Sequence, residues 1–134
     1  NGLRACGLLD FQDAVQGPAS YDLVSLLQDS RRDINPSLRT KMLDRYFNGM
    51  AGKLDSENFM TSFYALGTQR ALKVFGIFTR QSLKYGNHQY LVHIPRLWHH
   101  TLKNLSVPQL RPIKDWLLNN VSEDAINAEI ASNT

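Results

Sequence analysis

Apolar positions recur along this chain at two spacings, one short and continuous near the start and one helical through the rest. Residues 6–11, Cys-Gly-Leu-Leu-Asp-Phe, form a glycine-led apolar run that predicts a strand entering a loop. Residues 12–18 carry Asp13, Gly17 and Pro18 and read as that loop. Pro18 then opens a helix whose apolar face is Leu23, Leu26 and Leu27, ending around residues 29–32. Asn35-Pro36 starts a second helix, with Asn as cap and Pro in the first turn, lined by Leu43, Phe47 and Met50.

Asp55 or Ser56 caps a third, long helix that runs to about Tyr85 and stops at Gly86-Asn87. Phe59, Phe63 and Leu66 form its first apolar stripe, and Phe75 and Phe78 continue it. A fourth helix covers residues 88–104, with a kink or break near Ile94 because Pro95 lies inside it. A fifth begins near residues 106–108, with Pro112 in its first turns or marking a late start. Leu110, Ile113, Trp116 and Leu117 share one side of it. Ser122 caps a last short helix, with Glu123 and Asp124 near its positive end. The expected fold class is mainly α with one short N-terminal β-strand.

Composition narrows the classes. The chain has 134 residues, 43% hydrophobic and 20% charged, which fits one globular domain. Net charge is +3, and the basic residues are scattered over several helices. A nucleic-acid binder shows a denser basic footprint, so no nucleic-acid partner is expected. No apolar run reaches the ~18 residues that span a bilayer, so no membrane partner is expected either. The lone Cys6 has no internal disulfide partner, which suits a reducing, cytoplasmic setting. The histidines, His88, His93, His99 and His100, lack zinc spacing and read as satisfied or surface residues. Trp98 and Trp116 read as core.

The informative stretch is Gly7-Leu8-Leu9-Asp10-Phe11-Gln12-Asp13-Ala14-Val15-Gln16-Gly17-Pro18-Ala19-Ser20-Tyr21-Asp22-Leu23. A strand end presents one carboxylate, Asp10, and a second, Asp22, follows in the first turns of a helix. A hard cation such as Mg²⁺ prefers carboxylate oxygen, and phosphoryl transfer requires such a cation to neutralise charge on the triphosphate.

This run resembles the signature of the aminoglycoside phosphotransferase and choline kinase superfamily, whose catalytic lobe is similar to that of protein kinases. With residues 21–27, 69–78, 90–91 and 94–96, the chain is similar to the bacterial N-acetylmuramate/N-acetylglucosamine kinases of cell-wall recycling. The resemblance implies the C-terminal helical part of a protein-kinase-like catalytic lobe. It implies ATP and Mg²⁺ as cofactors, Asp10 as the metal ligand, and Phe11 as its packing anchor. Asp22 is implied to steady the backbone of the catalytic loop. Position 12 holds the neutral Gln12 where some relatives carry a second acid. Gln12 and Asp13 are left as contacts to metal-bound water or to the loop, and local Asx capping is the simpler role for Asp13.

The nucleotide-binding lobe and the catalytic His-x-Asp loop of such kinases lie before the metal aspartate and are not in residues 1–134. One partial domain is therefore expected over 1–134, inactive by itself and part of a complete kinase. The N-terminal strand is expected to expose unpaired edges and to offer a route to self-association.

Gln69, Lys73, Arg80 and Lys84, spaced by four, seven and four, share one helix face, and Arg70 is adjacent. One reading is a basic wall toward the substrate, formed by Gln69, Arg70 and Lys73. The other is a solvated face, toward which Arg80 and Lys84 lean. A polycationic aminoglycoside suits such a wall poorly, whereas a neutral or anionic sugar suits it. The expected substrate is a small sugar or amino-alcohol. The leading expectation is a kinase for an N-acetylated amino sugar. The alternatives are an aminoglycoside or choline-type kinase and a non-catalytic helical binding module.

Overall fold

The structure, a computed structural model, describes Gln12 and residues 14–132. The expected strand at residues 6–11, with Asp10 and Phe11, and also Asp13, lie outside the described residues. Within them the chain is mainly α: α1 (Ser20–Leu27), α2 (Pro36–Gly49), α3 (Ser56–Tyr85), α4 (Ile94–Asn104), α5 (Arg111–Asn120) and α6 (Glu123–Ser132).

The helix boundaries follow from side chains that satisfy the free backbone groups of a first or last turn. Asn35 accepts from the N–H of Ser37 at 2.9 Å, and Pro36 follows in α2. Asp55 accepts from the N–H groups of Glu57 and Asn58 at the start of α3. Gly86 ends α3 with φ 63°, a left-handed conformation that suits a residue without a Cβ. The region expected as a helix over 88–104 with a kink or break near Ile94 divides there into a 3₁₀ turn (His88–His93) and α4. Pro95 lacks an N–H and crowds the preceding turn, so the α-helix can only begin beside it. Similarly, a 3₁₀ turn (Pro108–Leu110) precedes α5, and Pro112 sits in the first turn of α5. Helix α1 starts at Ser20 rather than at Pro18, whose carbonyl accepts from the N–H of Tyr21 at 3.0 Å.

Helix α3, about 45 Å long at 1.5 Å per residue, is the spine, and α1 and α4 pack mainly on it. Its buried ridge runs through Phe59, Phe63, Gly67, Ala71, Phe78 and Ser82, mostly at i+4 spacing. Small residues occupy the middle of that ridge, where α1 and α4 come close. Leu66, expected on the stripe, is only half-buried because the ridge passes through Gly67. The seam of α1 is likewise Ser20, Val24, Leu27 and Gln28, and Leu26 is exposed. On α5 the seam narrows to Leu117, with Leu110 just before it, while Ile113 and Trp116 face solvent. Trp98 is in the core.

Helix α2 buries no residue completely. It attaches by aromatic contacts, with the Phe47 and Tyr46 rings 5.1 and 5.4 Å from that of Phe59.

At the centre of the fold, Gln28 and Asn104 form a buried reciprocal amide pair. Gln28 Nε2 donates to Asn104 Oδ1 and Asn104 Nδ2 donates to Gln28 Oε1, both at 2.8 Å. The pair lies directly over Gly67. Beyond α1, Arg96 of α4 donates through Nε and Nη2 to both oxygens of Asp33, at 2.6 and 2.8 Å, and through Nη1 to the carbonyl of Ser30. Helix α4 thus clasps the α1–α2 connection at two places.

His100 departs from the expectation for the histidines. It is buried, and its Nδ1 has no hydrogen-bond partner. Burial, joined by the positive charges of Arg39, His99, Arg96 and Lys103, holds its pKa down to about 4.

Two outcomes follow. A Cβ at position 67 would stand 2.6 Å from Asn104 Nδ2 and 2.8 Å from Gln28 Oε1. Those atoms can move only by giving up buried hydrogen bonds. Gly67→Ala is expected to lose about 2 kcal/mol or more in urea unfolding, despite a helix-propensity gain of about 1 kcal/mol. An unchanged or raised stability would contradict this packing. For His100, the unfolded chain takes up a proton as pH falls through about 6.5, and the folded chain does not until about pH 4. Acidification between those values therefore favours unfolding, and above them stability is fully retained. Between pH 7 and pH 5 the His100 share of the loss is at most about 2 kcal/mol. Comparing the wild type with His100→Gln by urea unfolding at both pH values isolates it, and equal pH dependence in the two would refute it.

Candidate functional site

Residues 14–19 carry no regular structure and lead into α1. Ser20, the first residue of α1, is buried and shares a 2.8 Å hydrogen bond with Ser62 of α3. This anchors the helix start, so the next two residues face outward. Asp22 is exposed in the first turn of α1, and Gln12 is exposed ahead of it. Tyr21 is bridged by Arg70 of α3, whose Nη1 donates to the tyrosine hydroxyl at 3.5 Å. The guanidinium carbon lies 5.9 Å from the Tyr21 ring centre.

Arg70 also lines an open cavity of about 370 Å³. Its walls come from the α1–α2 connection (Ser30, Arg31), from α3 (Arg70, Val74, Ile77, Phe78, Gln81), and from Asn87 and Tyr90. The Phe78 and Tyr90 rings stack at 5.0 Å and form an apolar wall. Among the described residues the lining holds two guanidinium groups, two amides and no carboxylate. Asp29 lies at the edge of this connection. Its burial opposes ionisation, but hydrogen bonds from the N–H of Arg31, at 2.7 Å, and from Arg32 outweigh that and hold its carboxyl below the usual range. Asp29 is thereby tied to the backbone of the loop that carries Arg31. The described lining can receive a neutral or anionic polar molecule, and among the described residues it holds no carboxylate to neutralise a polycation.

The residues singled out in the sequence separate here. Arg70 reaches the cavity. Gln69 and Lys73 are exposed and are not among its lining residues, as is true of Arg80 and Lys84. The reason is angular. Arg70, Val74, Ile77 and Gln81 keep the i, i+4, i+7, i+11 register of one face, and Gln69 and Lys73 lie on the next. That register, read from Arg70, would have pointed to Gln81. Arg31, Asn87 and Tyr90 come from loops and turns that carry no periodicity.

Asp10, expected as the metal ligand, and Asp13, expected with Gln12 as a contact to metal-bound water or to the loop, lie outside the described residues, and of the three only Gln12 is described. Among the described residues no group of three metal-binding side chains occurs. No helix among them is long and apolar enough to cross a membrane.

Comparison with known proteins adds the following. Residues 1–55 match the Phosphotransferase enzyme family. The chain is 36% identical over 116 residues to an N-acetylmuramate/N-acetylglucosamine kinase of Caulobacter vibrioides, covering 87% of this chain and 32% of that protein. It is 40% identical over 95 residues to the protein so named in Neisseria meningitidis, covering 67% and 28% of the two chains. It is 35% identical over 97 residues to that of Pseudomonas aeruginosa, covering 69% and 29%. The matched stretch thus spans about a third of the length of these relatives. The chain is accordingly related to the phosphotransferase enzyme family, and within it to a stretch of the N-acetylmuramate/N-acetylglucosamine kinases.

Proposed function

We propose that this chain is the C-terminal helical part of an ATP-dependent kinase that phosphorylates a hydroxyl of an N-acetylated amino sugar. The reading rests first on the run from Gly7 to Leu23, which places Asp10 ahead of α1 and Asp22 within it. The family match over residues 1–55 supports it, as do relatives named as kinases of N-acetylmuramate and N-acetylglucosamine.

In this reading Asp10 supplies the carboxylate oxygen for Mg²⁺. The donor chemistry fits a hard cation, with the amide of Gln12 and the carboxylate of Asp13 close by in sequence. When bound, the cation neutralises charge on the ATP phosphates. Asp22, exposed in the first turn of an anchored helix, accepts hydrogen bonds from the catalytic-loop backbone and fixes that loop against α1. The groups that accept the substrate proton belong to the part of the kinase before Asp10, so residues 1–134 alone do not catalyse transfer. A cytoplasmic setting for the complete enzyme belongs to this reading and rests on the lone Cys6.

Substrate choice is the task of the Arg70 cavity. N-acetylmuramate carries a lactyl carboxylate that a guanidinium can hold with two parallel hydrogen bonds. Arg70 is positioned for this by Tyr21, and Arg31 is its neighbour across the cavity. The stacked Phe78 and Tyr90 rings give the sugar's apolar face a wall. Gln69 and Lys73 act at most at the outer rim of this region. Among the described residues the lining carries no carboxylate, which disfavours an aminoglycoside.

In the complete enzyme, Asp10→Asn is expected to lower kcat at least 100-fold with the fold intact, measured by steady-state phosphorylation of both amino sugars. Retained turnover would remove Asp10 from the metal site. Arg70→Ala is expected to lower kcat/KM for N-acetylmuramate about tenfold or more, and for N-acetylglucosamine far less. An unchanged preference between the two sugars would sink the assignment of Arg70.

A further inference from the structure

A second cavity, of about 430 Å³, lies between the α1–α2 connection, the start of α2 and the outer face of α4. Its lining is cationic: Arg39 from α2, with Arg96, His99, His100 and Lys103 from α4. Asp33 is the one carboxylate there, and Arg96 already holds both of its oxygens. The charges of Arg39 and Lys103 are left to act on whatever enters.

Two polar atoms at this cavity are buried and have no hydrogen-bond partner among the described residues, the Nδ1 of His100 and the Nε of Arg39. His100 is 7% exposed. Buried polar atoms of this kind are almost always paired in folded proteins. Here two of them, from different helices, belong to the wall of one cavity beside an exposed lysine. The arrangement stands apart from the Arg70 cavity and does not depend on the kinase reading.

We propose that this cavity binds the phosphate group of a small phosphate ester, held by Arg39, Lys103 and the Nδ1–H of neutral His100. Phosphate is favoured over carboxylate because its oxygens spread in several directions and so reach donors on two helices together. The cavity is also larger than a bare ion needs, which leaves room for the organic part of the ester. A bound dianion opposes the repulsion that Arg39, His99, Arg96 and Lys103 exert on protonated His100, with Asp33 adding to it. The His100 pKa therefore rises when the site is filled.

The test titrates the protein at constant ionic strength with inorganic phosphate, glucose 6-phosphate and glucose. His100 is followed by NMR and affinity by calorimetry. Saturable binding of the two phosphates, tighter for the ester and nil for glucose, is expected, with the His100 titration moved upward. Lys103→Gln, at an exposed position that leaves the fold intact, and Arg39→Gln are each expected to weaken binding about tenfold. Arg111→Gln, on α5 and paired with Asp115, leaves it unchanged. Binding that is equal in Lys103→Gln, or a response that never saturates, overturns the site. Phosphate and ester binding equally would overturn the ester claim.

Discussion

The reciprocal hydrogen bonds between Gln28 and Asn104 set the constraint on which the remaining packing depends. Two amides, buried at the end of α1 and the end of α4, satisfy each other, and among the described residues no other side chain or backbone group bonds to them. Breaking either partner would leave the other buried and unpaired, which costs more than the net gain from forming the pair. The arrangement requires α1 and α4 to meet across α3 at one fixed distance. Gly67 makes that distance attainable, because any side chain there would occupy the space of the amides. A polar pair in such a place specifies geometry more than it adds stability.

That geometry carries outward to both cavities. With Gln28 fixed, the α1–α2 connection begins at a defined point, and Arg96 then holds Ser30 and Asp33 from α4. Arg31 is consequently brought to the cavity that Arg70 lines, and Arg39 to the one that His100 lines. At the other end of α1, the Ser20–Ser62 contact sets the direction from which residues 14–19 arrive. One short helix, pinned at both ends, thus relates residues 14–19 to the surface proposed to receive the sugar.

Much of the helical framework could be read from the sequence because it is written in local chemistry. Asn35-Pro36, Asp55 and Gly86 each act within a turn of their own position, and Pro95 breaks the helix where its ring demands. The misreadings share one cause. Leu26, Leu66, Ile113 and Trp116 are large and apolar, so periodicity places them inward, whereas the true seams run through Ser20, Gln28, Gly67 and Thr68. Small and polar residues at helix crossings are recognisable only once the partner helix is known. His100 was misread similarly, since burial without a partner depends on Arg39 and Lys103 arriving from elsewhere in the fold. On the candidate site, the helical register separates Arg70, which lines a cavity, from Gln69 and Lys73, which lie one face away.

The central claim is that Gln28 and Asn104 are energetically one unit. A double-mutant cycle with Gln28→Leu, Asn104→Leu and the double variant, measured by urea unfolding, tests it most directly. The account predicts a coupling of about 2 kcal/mol, with the double variant far less destabilised than the sum of the single variants. Additive losses would show that the two amides contribute separately and would contradict the account.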